Sequence, residues 1–457
     1  MSTFALSALP KGSLVHFIGI GGISMSGLAQ ILMDRGFSVS GSDKGRSHIT
    51  DKLSMQGAKI YIGQRAENIQ NPSLVVYSAA IRPDNEELCA AIDSGAIVLD
   101  RATLLGAIMK LYKYPIAVAG THGKTTTTSM LTHIELSASL DPTVSIGGEL
   151  PAIGGNIRVG QSPHFICEAC EYHRSFLRFF PLVNIILNIE ADHLDYFRDL
   201  AEIKEAFRDL ACLTPDHGAV VINLDDENTR DAIRDVPKTI LTCSKERNAD
   251  YTAANITEEN GFFSFDVIER GTTLGTVRLG VAGAHNISNA LCAIAAARFV
   301  GISFDAICEG LAAFVGVGRR FEKKGTKDGI LVIDDYAHHP TEIRATLKTA
   351  AASVPGRVWC VFQPHTYTRT KTLFSEFVDV LYDAKPLILD IYAAREKDTG
   401  LVSAKDLADA IPNALYMPSF DACAAYLREN AVAGDMILTM GAGDVHRVGT
   451  LFLDSHA

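Results

Sequence analysis

The chain has 457 residues, of which 47% are hydrophobic and 21% are charged, a composition typical of folded proteins. Its 42 basic and 53 acidic residues leave a formal net charge of −11, which argues against nucleic acid as a partner because such binders present a large basic face. At about 150 residues per domain, this length predicts about three domains, each large enough to bury its own core.

The first residues lack the basic start, the apolar core and the cleavage site of a secretory signal. The longest apolar stretch, residues 291–302, contains Arg298 and is too short to span a membrane. The nine cysteines are scattered without the spacing of a disulfide framework, which is typical of a reducing compartment. We therefore expect a cytoplasmic protein with no membrane span.

Short apolar runs rich in Val and Ile recur along the chain, each followed by a Gly-containing loop and then a helical pattern. Apolar strands that alternate with helices predict parallel sheets covered on both faces, so the expected fold class is α/β. The predicted strands are residues 14–20, 116–119, 183–187, 330–333, 358–362, 387–391 and 436–440.

Polar stretches at residues 110–115 and 319–329 interrupt this alternation. The second stretch is charged and contains glycine, as interdomain linkers often do. We therefore place three domains at residues 1–108, 109–320 and 321–457.

A glycine-rich loop lies between the predicted strand 116–119 and a helical pattern. Glycines let backbone amides face a phosphate chain, and a helix N-terminus adds positive potential. In such loops Lys124 would reach the β- and γ-phosphates of ATP, and the Thr125 hydroxyl would hold Mg²⁺. A tight strand-to-helix turn is the alternative, because the first glycine of the general pattern would fall at Val118. The loop residues are Gly120, Thr121, His122, Gly123, Lys124, Thr125 and Thr126.

A phosphate-bound Mg²⁺ also needs carboxylate ligands, which in a parallel sheet come from the carboxyl ends of neighbouring strands. Glu168 follows a strand-like run at residues 164–167, and His193 follows the strand 183–187 across a short loop. We predict that both emerge beside the phosphate loop. Taken alone, Glu168 could equally cap a helix, and His193 could be an ordinary loop histidine.

A second glycine loop follows the strand at the N-terminus, and Asp43 closes the next strand. Dinucleotide-binding proteins carry an acidic residue at this spacing, which binds a ribose hydroxyl. Ser24 replaces the third glycine of that fingerprint, which argues against a nicotinamide cofactor but leaves any nucleotide diphosphate open. A turn for close helix packing is the alternative. The loop glycines are Gly19, Gly21, Gly22 and Gly27.

These strings, with others further along the chain, resemble the Mur ligases of peptidoglycan synthesis. The resemblance runs from residue 16 to residue 446 and covers all three predicted domains. The blocks that carry it are HFIGIGG (16–22), GTHGKTTTT (120–128), NIEADHLD (188–195), GAHNISN (283–289), GRRF (318–321), DDYAHHPTE (334–342), FQPHTYTR (362–369) and GAGDVH (441–446).

The resemblance implies a Rossmann-like UDP-sugar domain, a central P-loop-type ATPase domain and a Rossmann-like C-terminal domain that brings the amino acid. It implies an ATP-dependent carboxylate–amine ligase that joins L-alanine to the lactyl carboxylate of UDP-N-acetylmuramate through an acyl phosphate. The implied cofactors are ATP and Mg²⁺, and the implied assembly is a monomer or a weak homodimer.

The resemblance also implies roles for individual residues. The implied catalytic residues are Lys124, Glu168, His193 and Arg320. The implied metal ligands are Thr125, Glu168 and His193. Beyond the phosphate loop, ATP would contact His285, Asn286, Asn289, Arg320 and Asp335. The UDP-sugar would contact Gly19, Gly21, Gly22, Ser24, Asp43 and Ser78. The amino acid and the substrate carboxylate would contact Tyr336, His338, His365 and Arg369.

Two positions depart from the wider family. Several Mur ligases carry a carbamylated lysine about fifteen residues beyond the histidine, where this chain has Arg208, which cannot be carbamylated in that way. Many relatives carry an arginine at the position of Thr366, so Arg369 is the better candidate for a substrate carboxylate.

Three other functions are compatible with parts of this sequence. A murein-recycling ligase would attach a whole tripeptide to the same UDP-sugar, although the segment 168–176 is more similar to the alanine-adding branch. A catalytically silent nucleotide-binding regulator would not need the intact Lys124, Thr125, Glu168 and His193. A dehydrogenase would leave the phosphate loop unexplained.

Overall fold

The computed structural model describes residues 4–78, 80–194, 196–394 and 396–454. Asp195, the last residue of one Mur ligase block, lies outside the described residues. The chain divides into two units. Unit 1 comprises Met1–Asp192, Asp199–Tyr251 and Cys292–Gly310. Unit 2 comprises His193–Arg198, Thr252–Leu291 and Leu311–Ala457.

The first sheet of unit 1 has five parallel strands in the order β3-β2-β1-β4-β5. Its strands are β1 Leu14–Ile18, β2 Ser38–Asp43, β3 Lys59–Ile62, β4 Leu74–Tyr77 and β5 Ile97–Asp100. Its helices are α1 Ile23–Asp34, α2 His48–Met55, α3 Glu86–Asp93 and α4 Arg101–Met109. The strand order reverses at β1, so the glycine loop after β1 lies at a switch point, where open α/β sheets bind ligands.

The second sheet of unit 1 contains seven strands in the order β12-β11-β10-β6-β9-β7-β8, and only β8 is antiparallel to its neighbour. The strands are β6 Tyr114–Ala119, β7 Thr143–Leu150, β8 Gly155–Arg158, β9 His164–Ala169, β10 Val183–Ile186, β11 Ala219–Asn223 and β12 Ile240–Ser244. The helices are α5 Lys124–Ser137, α6 Leu200–Cys212 and α7 Glu227–Ile233. Because β6 pairs with both β9 and β10 in parallel, the loops after these three strands meet at one edge.

Helix α1 of the first sheet contacts strand β8 of the second sheet. A Cβ atom on Gly27 would lie 2.2 Å from the Ile157 side chain, so only glycine fits at this position of α1. Asn156 Nδ2 donates a hydrogen bond of 3.5 Å to the carbonyl oxygen of Ile23, the first residue of α1.

The segment 251–313 contributes to both units. Its elements are β13 Tyr251–Glu259, β14 Phe262–Glu269, β15 Thr272–Ala282, α8 His285–Phe299 and α9 Phe304–Ala313. Strands β14 and β15 pair in antiparallel fashion. In the part of the chain that the structure describes, the longest helix, α8, has 15 residues, and no helix is long and apolar enough to cross a bilayer.

Unit 2 also contains a six-stranded sheet in the order β16-β17-β21-β18-β19-β20, in which only β16 is antiparallel to its neighbour. The strands are β16 Glu322–Lys327, β17 Ile330–Asp335, β18 Val358–Phe362, β19 Leu387–Ile388, β20 Leu415–Tyr416 and β21 Met436–Met440. The helices are α10 Pro340–Ser353, α11 Tyr367–Thr372, α12 Phe374–Leu381, α13 Ala404–Ala410, α14 Phe420–Asn430 and α15 His446–Asp454. Buried apolar clusters form on both faces of this sheet, as the continuous apolar strands predict.

The α/β class is confirmed, and each predicted apolar run contains a strand. Three details of the prediction are wrong. The run 387–391 pairs only at Leu387–Ile388, and Glu168 lies inside β9 rather than after it. Part of the predicted linker, Glu322–Lys327, forms β16 because its backbone pairs with β17.

Candidate active site

The phosphate loop joins β6 to α5 through two glycines with positive φ. Gly120 has φ +139° and Gly123, the residue before α5, has φ +82°, both unfavourable for residues with a side chain. A Cβ atom on Gly120 would also lie 3.0 Å from Leu187 Cβ. The turn predicted from the sequence is therefore present, and it places Lys124 at the start of α5.

Asn188, after β10, holds the phosphate loop from the neighbouring strand. Its carbonyl oxygen accepts from Thr121 N at 3.0 Å, and its Oδ1 accepts from His122 N at 2.8 Å. Its Nδ2 in turn donates to the His122 carbonyl at 3.1 Å. Glu190 N donates to Thr121 Oγ1 at 2.8 Å. Asn188 is the first residue of the string NIEADHLD, but it is not among the site residues predicted from the sequence. Its position just after a strand that pairs with β6 is the signal that could identify it.

Lys124, the first residue of α5, has its ammonium group at the loop. Nζ donates to the carbonyl oxygens of Gly120 and Thr121, and it lies 3.2 Å from Glu171 Oε2. Burial by itself lowers the pKa of Lys124, but Glu171 together with the nearby Cys170 and Glu168 more than offsets this and raises the pKa above its ordinary value. Lys124 therefore carries a charged ammonium group at the loop at neutral pH.

Thr125 and Glu168 lie on neighbouring parts of the same sheet edge. Glu168 is opposite Val118 in the parallel β6–β9 register, and Thr125 is in the first turn of the helix that follows β6. Gly147 N of β7 donates to Glu168 Oε1 at 2.6 Å, and Glu168 Oε2 accepts no hydrogen bond from the residues that the structure describes. Mg²⁺ prefers oxygen ligands such as hydroxyl and carboxylate groups, so Thr125 and Glu168 fit the predicted metal.

His193, the third predicted metal ligand, belongs to unit 2, and its metal role stays a prediction. It has φ +55°, and its carbonyl oxygen accepts from the backbone amides of Tyr196 and Phe197, each at 2.9 Å.

Arg208, at the position of the carbamylated lysine of other Mur ligases, has a structural role in this chain. Its Nε donates to the Ala232 carbonyl at 2.9 Å, and its Nη2 lies 3.5 Å from the Asp231 carbonyl. Both carbonyls are in the last turn of α7, where a cation also compensates the helix dipole.

Three of the residues predicted to contact ATP, His285, Asn286 and Asn289, lie at the start of α8 in unit 2. Asn286 and Asn289 are buried; Asn286 Nδ2 donates to the Ala282 carbonyl at 2.7 Å, and Asn289 Nδ2 donates to Asn286 Oδ1 at 3.0 Å. Gly283 precedes the helix with φ +103°, and a Cβ atom there would lie 2.6 Å from the His285 ring. The two amides are thus fixed relative to each other before any ligand binds.

Arg320 and Asp335 lie together in unit 2. Asp335 accepts from Phe321 N at 2.7 Å and from Ala337 N at 2.8 Å, so its carboxylate links the end of β17 to the residue before β16. Burial raises the pKa of Asp335 to about 6, although Arg320 and the two amides oppose the shift. Arg320 Nη1 lies 3.7 Å from Glu342 Oε1. Contact of either side chain with ATP stays a prediction.

Tyr336 and His338 follow β17 directly. The Tyr336 ring lies 4.9 Å from the guanidinium carbon of Arg319 and 5.0 Å from that of Arg320. Arg319 also donates to Asp334 Oδ2 at 3.0 Å, a buried acidic partner that the sequence did not predict. His338 Nδ1 lies 2.9 Å from the Tyr336 carbonyl oxygen, which sets the orientation of its ring.

The structure brings His338, His365 and Arg369 together, and their contact with the amino acid stays a prediction. The rings of His338 and His365 are 5.7 Å apart, and Arg369 Nη1 lies 3.0 Å from His365 Nδ1. Because arginine only donates, His365 accepts through Nδ1. Tyr392, which the sequence did not predict, stacks on His365 with the ring centroids 5.6 Å apart.

Thr366 directs its side chain into the helix that follows it. Its Oγ1 accepts from Arg369 N at 3.4 Å at the start of α11, and its backbone N donates to the Tyr392 carbonyl at 2.9 Å. Thr366 has φ +63°, a strained value for a β-branched residue, and the bridge to Tyr392 maintains it. The Thr366 hydroxyl caps α11, which leaves Arg369 as the candidate for a carboxylate.

We expect Arg369→Lys to impair use of a carboxylate substrate, because the planar fork that binds two oxygens becomes a single ammonium. With a charge-assisted hydrogen bond worth about 1.5–3 kcal/mol, kcat/KM for that substrate should fall about ten- to a hundredfold. Steady-state kinetics against ATP, UDP-sugar and amino acid in turn measure the effect. Arg344→Lys, on the exposed face of α10, is the matched control and should behave as wild type. A defect confined to ATP would instead assign Arg369 to the nucleotide.

The N-terminal glycine loop has the predicted turn, but Asp43 has a role within the loop itself. Asp43 Oδ2 accepts from Gly21 N at 2.9 Å, which fixes the loop against the end of β2. Gly19 has φ +84°, and a Cβ atom there would lie 3.6 Å from Ser78 Oγ, so the two predicted residues are neighbours. Gly22 precedes α1, and Ser24 is exposed in its first turn.

A buried polar network supports this loop from beneath. Glu87 accepts from His16 at 2.9 Å, from Ser42 at 2.5 Å and from Asn68 at 3.0 Å, and all four side chains are buried. Ser42 in turn accepts, through its carbonyl oxygen, from the backbone amides of the loop at positions 19 and 20. His16 lies in β1, and it supports the glycine loop indirectly, through Glu87 and Ser42.

Three protein-family models match consecutive parts of this chain. Residues 14–113 match the Mur ligase family catalytic domain, residues 118–297 the Mur ligase middle domain, and residues 319–443 the Mur ligase glutamate ligase domain. The chain belongs to the Mur ligase family. The resemblance stated from the sequence is therefore confirmed.

Individual Mur ligases show the same relationship over nearly the whole chain. The UDP-N-acetylmuramate–L-alanine ligase of Acetivibrio thermocellus is 53% identical over 446 residues, which cover 96% of this chain and 95% of that protein. The crystal structure of the UDP-N-acetylmuramate–alanine ligase of Thermotoga maritima is 28% identical, with a TM-score of 0.79 over 97% of this chain and 98% of that one. A murein peptide ligase of Psychrobacter arcticus is 27% identical, with a TM-score of 0.71 over 98% of this chain and 100% of that one.

Proposed function

We propose that this Mur ligase uses ATP to join L-alanine to the lactyl carboxylate of UDP-N-acetylmuramate. A relative that is 53% identical bears the name UDP-N-acetylmuramate–L-alanine ligase. The observation that carries the proposal is the phosphate loop at the edge shared by β6, β9 and β10. It combines a charged lysine at the start of α5 with the Glu168 carboxylate on the adjacent strand. That combination is suited to phosphoryl transfer.

Joining a carboxylate to an amine in water requires a better leaving group than hydroxide. A lactyl carboxylate oxygen attacks the γ-phosphorus of ATP, the bond to the β-phosphate oxygen breaks, and ADP and an acyl phosphate form. The neutral amine of L-alanine then attacks the acyl carbon and gives a tetrahedral intermediate. Its collapse breaks the carbon–oxygen bond, phosphate leaves, and the nitrogen loses a proton. The product is the amide, with ADP and inorganic phosphate.

Lys124 has the chemistry to stabilise the transferring phosphoryl group. Its ammonium lies at the N-terminus of α5, where helix dipole and backbone amides also favour negative charge. Arg320 is the candidate for a second positive charge. Its guanidinium is half-buried, and at 3.7 Å its ion pair with Glu342 is too long for a hydrogen bond, so the guanidinium can still donate to a phosphate.

Thr125 and Glu168 are the candidate Mg²⁺ ligands, with His193 as the predicted third. When bound, the metal would supply neutralising charge to the phosphate oxygens. The hydrogen bond from Gly147 orients the Glu168 carboxylate, and a larger residue at 147 would crowd it, since a Cβ atom would lie 3.1 Å from Oε2. ATP and Mg²⁺ are therefore the proposed cofactors.

Unit 2 carries the proposed amino-acid site. Arg369 and His338 offer hydrogen-bond donors for a carboxylate, and the stacked rings of His365 and Tyr392 form a flat wall beside them. The wall suits a small side chain such as a methyl group. Tyr336, fixed by two arginines, is the remaining predicted contact.

The decisive experiment measures phosphate release with ATP, Mg²⁺ and UDP-N-acetylmuramate against a panel of acceptors. We expect L-alanine to exceed glycine in kcat/KM by about tenfold or more, since one methyl group contributes ~1–3 kcal/mol of discrimination. L-Serine should also be the poorer acceptor, because a methyl-sized site leaves its hydroxyl without a hydrogen bond. A tripeptide acceptor is expected to give no release. Release with the tripeptide alone would make the protein a recycling ligase, and no release with any acceptor would favour a silent regulator.

We further propose a cytoplasmic protein that acts as a monomer or weak homodimer. Its proposed substrates are small and water-soluble, and its net charge of −11 disfavours binding to nucleic acid or to an anionic membrane. We expect that the pure protein does not reduce NAD(P). That result would exclude a dehydrogenase that binds its cofactor at the N-terminal glycine loop.

A further inference from the structure

Glu171 lies beside the phosphate loop and was not among the predicted site residues. It follows β9, and its side chain is 3% exposed. The carboxylate oxygens lie 3.2 and 3.5 Å from Lys124 Nζ, whose side chain is 16% exposed. A carboxylate at this depth requires a charged partner, and Lys124 is that partner.

The contacts of Lys124 leave little capacity for a further ligand. An ammonium group has three hydrogens to donate. Its acceptors are the carbonyl oxygens of Gly120 and Thr121 and the carboxylate of Glu171. A phosphate oxygen that bonds this lysine must therefore replace one of them. Of these three acceptors, Glu171 is the one that carries a negative charge, as a phosphate does.

The turn that carries Glu171 is held in place. The Glu171 carbonyl accepts from Arg174 N at 2.8 Å, and both His173 and Arg174 have left-handed backbone angles, with φ of 54° and 51°. The Arg174 guanidinium lies within 3.2 to 3.7 Å of three carboxylates on α6. Those acidic residues are Glu202, Glu205 and Asp209. Strained backbone that is held by such contacts is typical of functional segments. We therefore infer that the turn holds Glu171 in a fixed position beside Lys124.

We propose that Glu171 occupies the place on the Lys124 ammonium that a nucleotide phosphate takes, and that it competes with the phosphates for this lysine. The inference rests on the proposed ATP site. It makes Glu171 a positioning residue, which holds the Lys124 ammonium at the loop and weakens the binding of ADP after phosphoryl transfer. A purely structural role for Glu171 predicts the opposite effect on affinity, because loss of support would loosen the loop.

The test is the affinity of wild type and Glu171→Gln for ADP with Mg²⁺, measured by titration calorimetry. We expect Glu171→Gln to bind ADP about tenfold more tightly, equivalent to ~1.4 kcal/mol of relieved charge repulsion. Affinity for adenosine, which carries no phosphate, should be unchanged. Glu171→Asp keeps the charge and should remain within about threefold of wild type. Both variants must melt as folded proteins.

Glu135→Gln is the matched control. Glu135 is a fully buried carboxylate on the same helix as Lys124, and it pairs with His164 at 3.1 Å. Its neutral variant should lose stability without a change in ADP affinity. If wild type bound ADP and Glu171→Gln bound it equally or more weakly, this inference would be wrong while the proposed function stood. Failure of wild type to bind ADP at all would overturn both.

Discussion

Replacing Lys124 with alanine is expected to lower turnover by about a hundred- to a thousandfold or more, because a preorganised charge at the transferring phosphoryl group is lost. The measurement is the initial rate of phosphate release with ATP, UDP-N-acetylmuramate and L-alanine. Binding of the UDP-sugar should be unaffected, since the glycine loop after β1 belongs to a separate sheet of unit 1. Near-normal turnover would remove Lys124 from the phosphate site.

The same substitution is expected to lower the free energy of unfolding by about 3–5 kcal/mol, because it removes a charged partner from the buried Glu171 carboxylate. Thermal or denaturant unfolding measures this loss. From the sequence alone, Lys124 is a point charge in a loop outside the core, and its removal is expected to leave the fold intact. The buried pair changes that expectation, because the lysine also compensates an acidic group.

A double variant separates the two effects. Lys124→Ala with Glu171→Gln removes both charges, so most of the stability should return while turnover stays low. Lys113→Ala is the matched control: Lys113 is exposed just before β6, and its loss should change neither quantity. Recovery of turnover in the double variant would contradict a direct role for Lys124 in phosphoryl transfer.

Replacing Glu168 with glutamine is expected to raise the Mg²⁺ concentration needed for half-maximal rate by about ten- to a hundredfold, because a charged oxygen ligand becomes a neutral amide of the same size. The glutamine carbonyl can still accept from Gly147 N, so stability should change far less than activity. A magnesium titration of the rate at saturating ATP measures the effect.

Glu149→Gln serves as the matched control for Glu168→Gln. Glu149 is an exposed carboxylate on β7, two residues from the amide that contacts Glu168. Its removal changes the net charge by the same amount, yet the magnesium requirement should stay that of wild type. An identical shift in both variants would mean that overall charge, rather than ligation by Glu168, sets the requirement.

Several features of this protein are determined by short stretches of sequence. The apolar runs predict the parallel strands, because a strand buried on both faces must be apolar at successive positions. The phosphate loop follows from its own residues, since Gly120 and Gly123 adopt backbone angles that other residues disfavour. The glycine loop before α1 is predictable for the same reason. In each case the signal lies within about ten residues, which is where sequence patterns are informative.

Only the tertiary structure decides which distant side chains meet. Glu171 lies 47 positions from Lys124, and Asn188 lies 66 positions from His122, yet each pair is in hydrogen-bond contact because β6 lies between β9 and β10. Tyr392 reaches His365 through a backbone bridge between separate strand ends. Local patterns carry no information on such pairings, which depend on strand order. The sequence by itself therefore determined the strands and the phosphate-binding turns, while strand order decided the partners that hold Lys124 and His365 in place.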